Sequence, residues 1–318
     1  MAMSPERTRS DPRSPWRRLR LAGIAAALLA SAAMAPVAQS AEPELPPLTT
    51  EAGTPRLPGK FVWIDLVTSN METARNFYSR LFGWEFRRMG DAATGYSLVL
   101  NDGRPVGGVV DVTARPNVPV NPRWVAYISV PDVAQAQKAI IGAGGRQLVA
   151  AKTFPKRGEQ AVFADAEGAV FGVIKSAGGD PADFMAEPGD WIWIQLLSRD
   201  VQKATGFYRS FAGYEVVENK ESSRKNQFLL VSGAFARAAV SQLPANHPKA
   251  PPIWLPFVRV ESLAQSLTVA QQLGGRIAVM PRPDLFEGRM AVVADPSGAM
   301  VGMLQWDDER DQGRKTRP

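Results

Sequence analysis

A chain with one histidine and no cysteine has few ways to hold a transition metal or to attack a bond. Divalent transition metals want imidazole, thiolate or several carboxylates. Without cysteine there is no thiol nucleophile, no disulfide and no lipid-modified cysteine. The single histidine, His247, stands in a proline-rich run between Pro244 and Pro248 and reads as an exposed loop residue. Oxygen chemistry remains. Asp65, Glu159, Glu167 and Glu287 carry carboxylates and Gln195 an amide, all on or beside short apolar runs. Such a set serves either a carboxylate-only Mg²⁺ or Mn²⁺ site or metal-free acid/base work at Asp65, Glu159 or Glu287. Lys156, Arg157, Arg282 and Arg289 flank the turns that carry Phe154, Phe163, Phe171 and Phe286, a pattern that could hold an anionic group but that ordinary surface solvation also explains. No phosphate-binding Gly-x-x-x-x-Gly-Lys-Ser/Thr, no Gly-x-Gly-x-x-Gly between strand and helix, and no Gly-x-Ser-x-Gly elbow occurs.

The elements that must position these residues come in two copies. Phe77-Tyr78 returns as Phe207-Tyr208, Gly83 as Gly213, Trp124 as Trp254 and Gly144-Gly145-Arg146 as Gly274-Gly275-Arg276. Asp165, Gly168 and Gly172 return as Asp295, Gly298 and Gly302, all at one offset of 130 residues. A constant offset this long means tandem modules, not a solenoid of short repeats. Each module opens on a β-branched and aromatic run, 61–67 or 191–197, that reads as a strand. A helix follows, capped by Asn70 or Asp200 and stopped by Gly83 or Gly213. Strands are expected over 96–101 and 107–112, answered by 227–231 and 237–242, and over 124–130, answered by 254–260. Helices capped by Asp132 and Ser262 come next, and hairpins over 161–175 and 290–306 close the modules. The order is βαβββαββ or close to it. The pairs Trp63/Trp193, Trp84/Tyr214 and Trp124/Trp254 are expected to pack the core or the junction between modules.

The domain reading is an export signal over 1–40, a Pro-rich linker over 41–59, modules over 60–176 and 190–306 joined by 177–189, and a charged tail over 307–318. Arg17-Arg18-Leu19-Arg20 leads into an apolar run from Leu21 to Ala30, and Ala38-Gln39-Ser40 supplies small residues for cleavage. The run is shorter than the ~20 residues of a spanning helix, so no stable membrane anchor is expected once the segment is removed. A periplasmic or secreted location follows. The first 40 residues hold six arginines against two acids and account for most of the net charge of +6. The balance is too small for a nucleic-acid binder.

The phrase of strand, Asn/Asp cap, Phe-Tyr and glycine, with the closing Asp-x-x-Gly-Ala-x-x-Gly at 165–172 and 295–302, resembles the vicinal oxygen chelate (VOC) superfamily, also called glyoxalase/bleomycin-resistance/dioxygenase. The resemblance covers about 60–175 and 190–306. It implies an α+β fold: two tandem VOC modules of paired βαβββ-type units, their mixed, curved sheets forming cups. It also implies that a metal would be held by the first strand, six residues before the helix cap, and by the last strand, four residues after the turn glycine. Those slots are Ile64 and Ile194, Gly172 and Gly302, none of which offers a donor. We therefore expect no metal, no cofactor and no assigned catalytic residue. If Ile64 and Ile194 face the cup, Val62, Leu66, Ile192 and Leu196 share that face and Asp65 and Gln195 point away. Phe154, Phe163 and Phe286 would then reach the mouth of an apolar cup, and Gly172 and Gly302 would either admit a ligand or let a ring pack. The expected function is binding of a small apolar or aromatic molecule by an exported, metal-independent monomer or homodimer. The alternative is a VOC-type lyase, isomerase or dioxygenase using atypical oxygen ligands or metal-free acid/base chemistry.

Overall fold

The structure is a computed structural model that describes residues 44–51, 53–90, 95–113, 121–220, 226–244 and 249–308. The expected export signal over 1–40, His247 and all but the first residues of the charged tail lie outside the described residues.

Module 1 runs β1 Phe61–Thr68, α1 Met71–Phe82, β2 Glu85–Met89, β3 Tyr96–Asn101, β4 Arg104–Asp111, β5 Arg123–Ser129, α2 Val133–Gly142, β6 Arg146–Phe154, β7 Gly158–Ala164 and β8 Val170–Ser176. Module 2 repeats it as β9 Trp191–Ser198, α3 Val201–Ala212, β10 Glu215–Glu218, β11 Gln227–Ser232, β12 Phe235–Gln242, β13 Ile253–Val260, α4 Leu263–Gln272, β14 Arg276–Val279, β15 Met290–Ala294 and β16 Met300–Gln305. Each module is thus two βαβββ units. The sequence reading lacked β2, β6, β10 and β14, which lie at the sheet edges. β2 and β10 are exposed along most of their length, β6 along nearly its whole length, and β14 has only four residues, so no apolar alternation marks them.

The sheets follow the orders β2-β3-β4-β1-β5-β8-β7-β6 and β10-β11-β12-β9-β13-β16-β15-β14. In each, the module's first strand joins the two units: β1 is parallel to β4 and antiparallel to β5, and β9 is parallel to β12 and antiparallel to β13. The helices start where expected. Asn70, Asp132, Asp200 and Ser262 each accept from the backbone N–H three residues on. Gly83 and Gly213 take the left-handed conformation, φ 76° and 69°.

One face of each sheet packs on the helices, where α1 meets α4 and α2 meets α3. This shared core joins Ile64, Leu66, Phe163 and Phe171 to Ile194, Leu196, Phe207 and Trp254. The repeated motifs meet across it. The Tyr78 hydroxyl donates to Asp295 at 3.0 Å, and the Tyr208 hydroxyl donates to Asp165 at 2.9 Å. Each tyrosine in turn accepts from an indole N–H, that of Trp124 at 3.1 Å or Trp254 at 2.7 Å. The Phe-Tyr of one module is therefore locked to the Asp-x-x-Gly turn of the other.

The opposite face of the module 1 sheet, its cup face, carries a second cluster that includes Val62, Trp63, Leu98, Val125, Tyr127 and Ile174. Residues 44–51 and 53–59, within the expected Pro-rich linker, make contacts with the module. Leu48 joins the cup-face cluster and Leu45 packs with Tyr96 and Phe154. Arg56 donates to the Ser176 carbonyl, and the Leu57 N–H donates to buried Asp180.

Candidate functional site

The cup face of module 1 holds five polar or aromatic side chains in one buried group: Trp63, Asp65, Tyr96, Tyr127 and Arg157. Strand alternation brings Trp63 and Asp65 of β1 to one face. Tyr96 of β3 and Tyr127 of β5 reach the same place from either side. Asp65 is paired with Gly108 of β4, and a Cβ on Gly108 would overlap both the Tyr96 hydroxyl and the Asp65 carboxylate. Only glycine leaves that pair its room. The Trp63 indole N–H donates to Asp65 Oδ1 at 2.8 Å, and the Tyr96 hydroxyl donates to the same oxygen at 3.0 Å.

Arg157 closes the group from the turn between β6 and β7. Its guanidinium lies 4.0 Å from the centre of the Trp63 ring. Its Nε donates to the Pro46 carbonyl at 2.6 Å, while its Nη2 is buried with no hydrogen-bond partner. At 1% exposure this is no solvated surface charge, as its run with Lys156 suggested. Lys156 does fit that reading, exposed and paired with Glu44.

Burial pushes the Asp65 carboxyl above the usual carboxylate range, against the opposing pull of Arg157 and of the hydrogen bonds from Trp63, Tyr96 and Tyr127. Burial, and then the nearby Asp65 charge, pushes the Tyr96 and Tyr127 hydroxyls well up as well. Both tyrosines stay protonated donors at neutral pH.

The expected cup residues separate into four groups. Ile64, Leu66, Ile194, Leu196 and Phe163 face the shared helical core and not a cup, so Asp65 is turned inward, whereas Val62 and Ile192 lie in the cup-face clusters. Phe154 packs against Leu45 and Tyr96. Gly172 and Gly302 do lie on the cup faces, but Cβ atoms there would overlap the rings of Tyr127 and Phe257. Each glycine therefore makes room for a neighbouring ring. Phe286 packs beside the cup-face cluster of module 2 and stacks on Trp306, with ring centres 5.6 Å apart.

Sequence reasoning missed Tyr96 and Tyr127, and it read Trp63 as packing and Arg157 as one of four basic residues beside the turns. The differences between the two copies could have found them. Where β1 offers Asp65 opposite Gly108, β9 offers Gln195 opposite Ala239, and where β8 places Gly172 beside Tyr127, β16 places Gly302 beside Phe257. The second cup is also more open, with Trp193 and the cup-facing residues of β11 half-buried.

A divalent metal does not fit the side chains gathered in cup 1. They supply one carboxylate, and its Oδ1 is already taken by two donors. Among the described residues no group of three or more His, Asp or Glu side chains is arranged to hold a metal ion.

Residues 61–174 match the glyoxalase-like domain family, and residues 192–303 match the glyoxalase/bleomycin resistance protein/dioxygenase superfamily. A Mycobacterium bovis protein, CFP32, named as a candidate glyoxylase, is 26% identical over 76% of this chain and 93% of its own length. The anthracycline biosynthesis protein DauV of Streptomyces sp. strain C5 is 28% identical over 78% of this chain and 94% of its own. Among solved structures, the Mn(II)-bound glyoxalase from Novosphingobium aromaticivorans shares the fold at 16% identity, with a TM-score of 0.53 over 78% of this chain and 82% of that one. Matched in both modules and built from four βαβββ units, the chain belongs to the vicinal oxygen chelate superfamily as a tandem two-module member.

Proposed function

We propose that this chain binds a small, largely apolar or aromatic molecule in the cup of module 1, without a metal, and works outside the cytoplasm. The observation that carries the reading is the lining of that cup: Trp63, Tyr96 and Tyr127 around Asp65 and Arg157, with ring surface in place of a metal's donor set. Module 2 carries Gln195 and Phe257 at the matching strand positions and serves as its structural counterpart. The relation to an anthracycline biosynthesis protein is compatible with an aromatic ligand and names none. Export rests on the arginine-led apolar run before residue 41.

Native mass spectrometry with elemental analysis tests the reading on protein purified without chelator from its own compartment. A metal-free chain carrying an organic mass is the expected result. Stoichiometric Mn²⁺, Fe²⁺, Zn²⁺, Ni²⁺ or Mg²⁺ surviving desalting would overturn metal independence.

The raised carboxyl of Asp65, hydrogen-bonded to Tyr96, favours a second reading, metal-free acid/base catalysis. The two readings part at Asp65→Asn. A binder keeps its ligand in that variant, whereas an enzyme of this kind keeps its ligand and loses turnover.

A further inference from the structure

Cup 1 is occupied by the chain's own N-terminal strap, residues 44–48, and what the strap presents describes what the cup accepts. Leu45 and Leu48 are buried, one against Tyr96 and Phe154, the other in the cluster of Trp63, Leu98 and Tyr127. Between them the Pro46 carbonyl takes the Nε proton of Arg157. The strap thus offers two branched apolar groups flanking a neutral oxygen acceptor. Nε and Nη2 lie on one edge of the guanidinium and are spaced to grip two oxygens at once. The strap fills half of that fork, and Nη2 is left buried without a partner. A buried N–H without an acceptor is costly and rare in native structures.

The charge of the site fixes the rest. Asp65 and Arg157 share Trp63, the first taking its indole N–H at 2.8 Å and the second lying 4.0 Å from its ring centre, so the site already sets one carboxyl beside its one guanidinium. A ligand carboxylate on the same guanidinium would bury a second negative charge beside Asp65, with no second cation in the group to answer it. A neutral acceptor keeps the balance that the Pro46 carbonyl keeps now.

The geometry points to cup 1 as the site of a neutral aromatic or branched apolar molecule that carries a carbonyl with a second oxygen beside it, a cyclic ester being the simplest case because its ring turns lone pairs of both oxygens to one side. Its two oxygens take Nε and Nη2 of Arg157, its apolar body replaces Leu45 and Leu48, and the strap swings out as it enters. The strap and the ligand compete for one place. This rests on the binding reading of cup 1 and adds the ligand's handle and the competitor.

Three probes built on naphthalene test it by calorimetric titration of the full chain: the cyclic ester naphtho[2,3-c]furan-1(3H)-one, 2-naphthoate and 2-ethylnaphthalene. The ester is expected to bind about tenfold more tightly than the hydrocarbon and about tenfold more tightly than the acid, the scale of a hydrogen bond to a charged donor. Loosening the strap with Leu45→Ser/Leu48→Ser should tighten the ester by about tenfold, because closed strap reduces the competent fraction. In Arg157→Met the ratio of ester to hydrocarbon affinity should fall to about one, a ratio that controls for any change in overall packing. The ranking of the three probes on the unaltered chain needs no variant and stands even if Arg157→Met fails to fold. Preference for the acid would overturn the neutral handle. Equal ester affinity with and without the two leucines would make the strap a fixed part of the fold and overturn the competition. If ester and hydrocarbon bind equally, the binder reading survives and the Arg157 handle does not. If no probe binds any form of the chain, the binder reading falls with it.

Discussion

At the scale of single residues, Asp65 is a buried acid whose neighbours only partly offset its burial. Its carboxyl is raised in the folded chain, burial being the leading cause. A raised carboxyl binds its proton more tightly when folded than when unfolded. Its contribution is therefore fully present below the unfolded value of about 4 and is lost as pH rises through the folded value. Asp65→Asn removes this dependence. Urea titrations at stepped pH should show the native chain losing stability relative to Asp65→Asn as pH rises above about 4. A constant difference between the two across that range would mean that Arg157 and the three donors fully compensate the charge. The same residue shows where the sequence stopped being legible. Residues 61–68 are buried on both faces, by helices on one side and by the strap on the other, so hydrophobic alternation does not mark which face is the cup. A register shift between Phe61 and Trp63 further breaks the parity. Arg157 was hidden for another reason: a Lys-Arg pair in a turn looks like surface until the chain that covers it is placed.

At the scale of elements, the repeated motifs were legible as motifs but not as partners. The offset of 130 residues, the helix caps and the closing turns could all be read along the chain, and the fold followed from them. Which turn each tyrosine would meet could not, because Tyr78 and Asp295 are separated by 217 residues and Tyr208 and Asp165 by 43. The exchange gives each aspartate a second task. Its Oδ1 accepts from the backbone of its own turn, and its Oδ2 accepts the hydroxyl from the opposite helix. Trp84 and Tyr214 repeat the arrangement, the first donating to the Gly189 carbonyl and the second to that of Gly59, ahead of the opposite module. Tyr78→Phe and Tyr208→Phe should each destabilise the chain by about 1–3 kcal/mol, since a buried carboxylate oxygen and an indole N–H both lose a partner. Urea unfolding of the single and double variants measures it. The two clusters share no hydrogen-bond partner, so the double variant is expected near the sum of the singles.

At the scale of the whole molecule, the two modules share their largest core, beside a smaller cup-face cluster in each. Phe171 of β8 lies in module 1, yet its ring packs edge-on to Phe207 at 6.1 Å and Tyr208 at 5.3 Å and stacks on Phe211 at 5.5 Å, all from module 2. Neither sheet can keep its helix-facing side dry without the other. Removal of one module would expose the apolar face of its neighbour, so a half-unfolded intermediate has little to stabilise it. Calorimetry should therefore show one transition for residues 44–308, with the van't Hoff and calorimetric enthalpies in agreement. Phe171→Ala should lower stability by about 3–5 kcal/mol, the usual range for a buried phenylalanine. It should move that transition as a whole, with the fluorescence of tryptophans in both modules following the same curve. Two resolved transitions, with only module 1 responding to Phe171→Ala, would mean that the shared core is a contact between independent domains. In that case the strap and cup of module 1 would open and close without the second module, and the tandem arrangement would have to be explained by something other than stability.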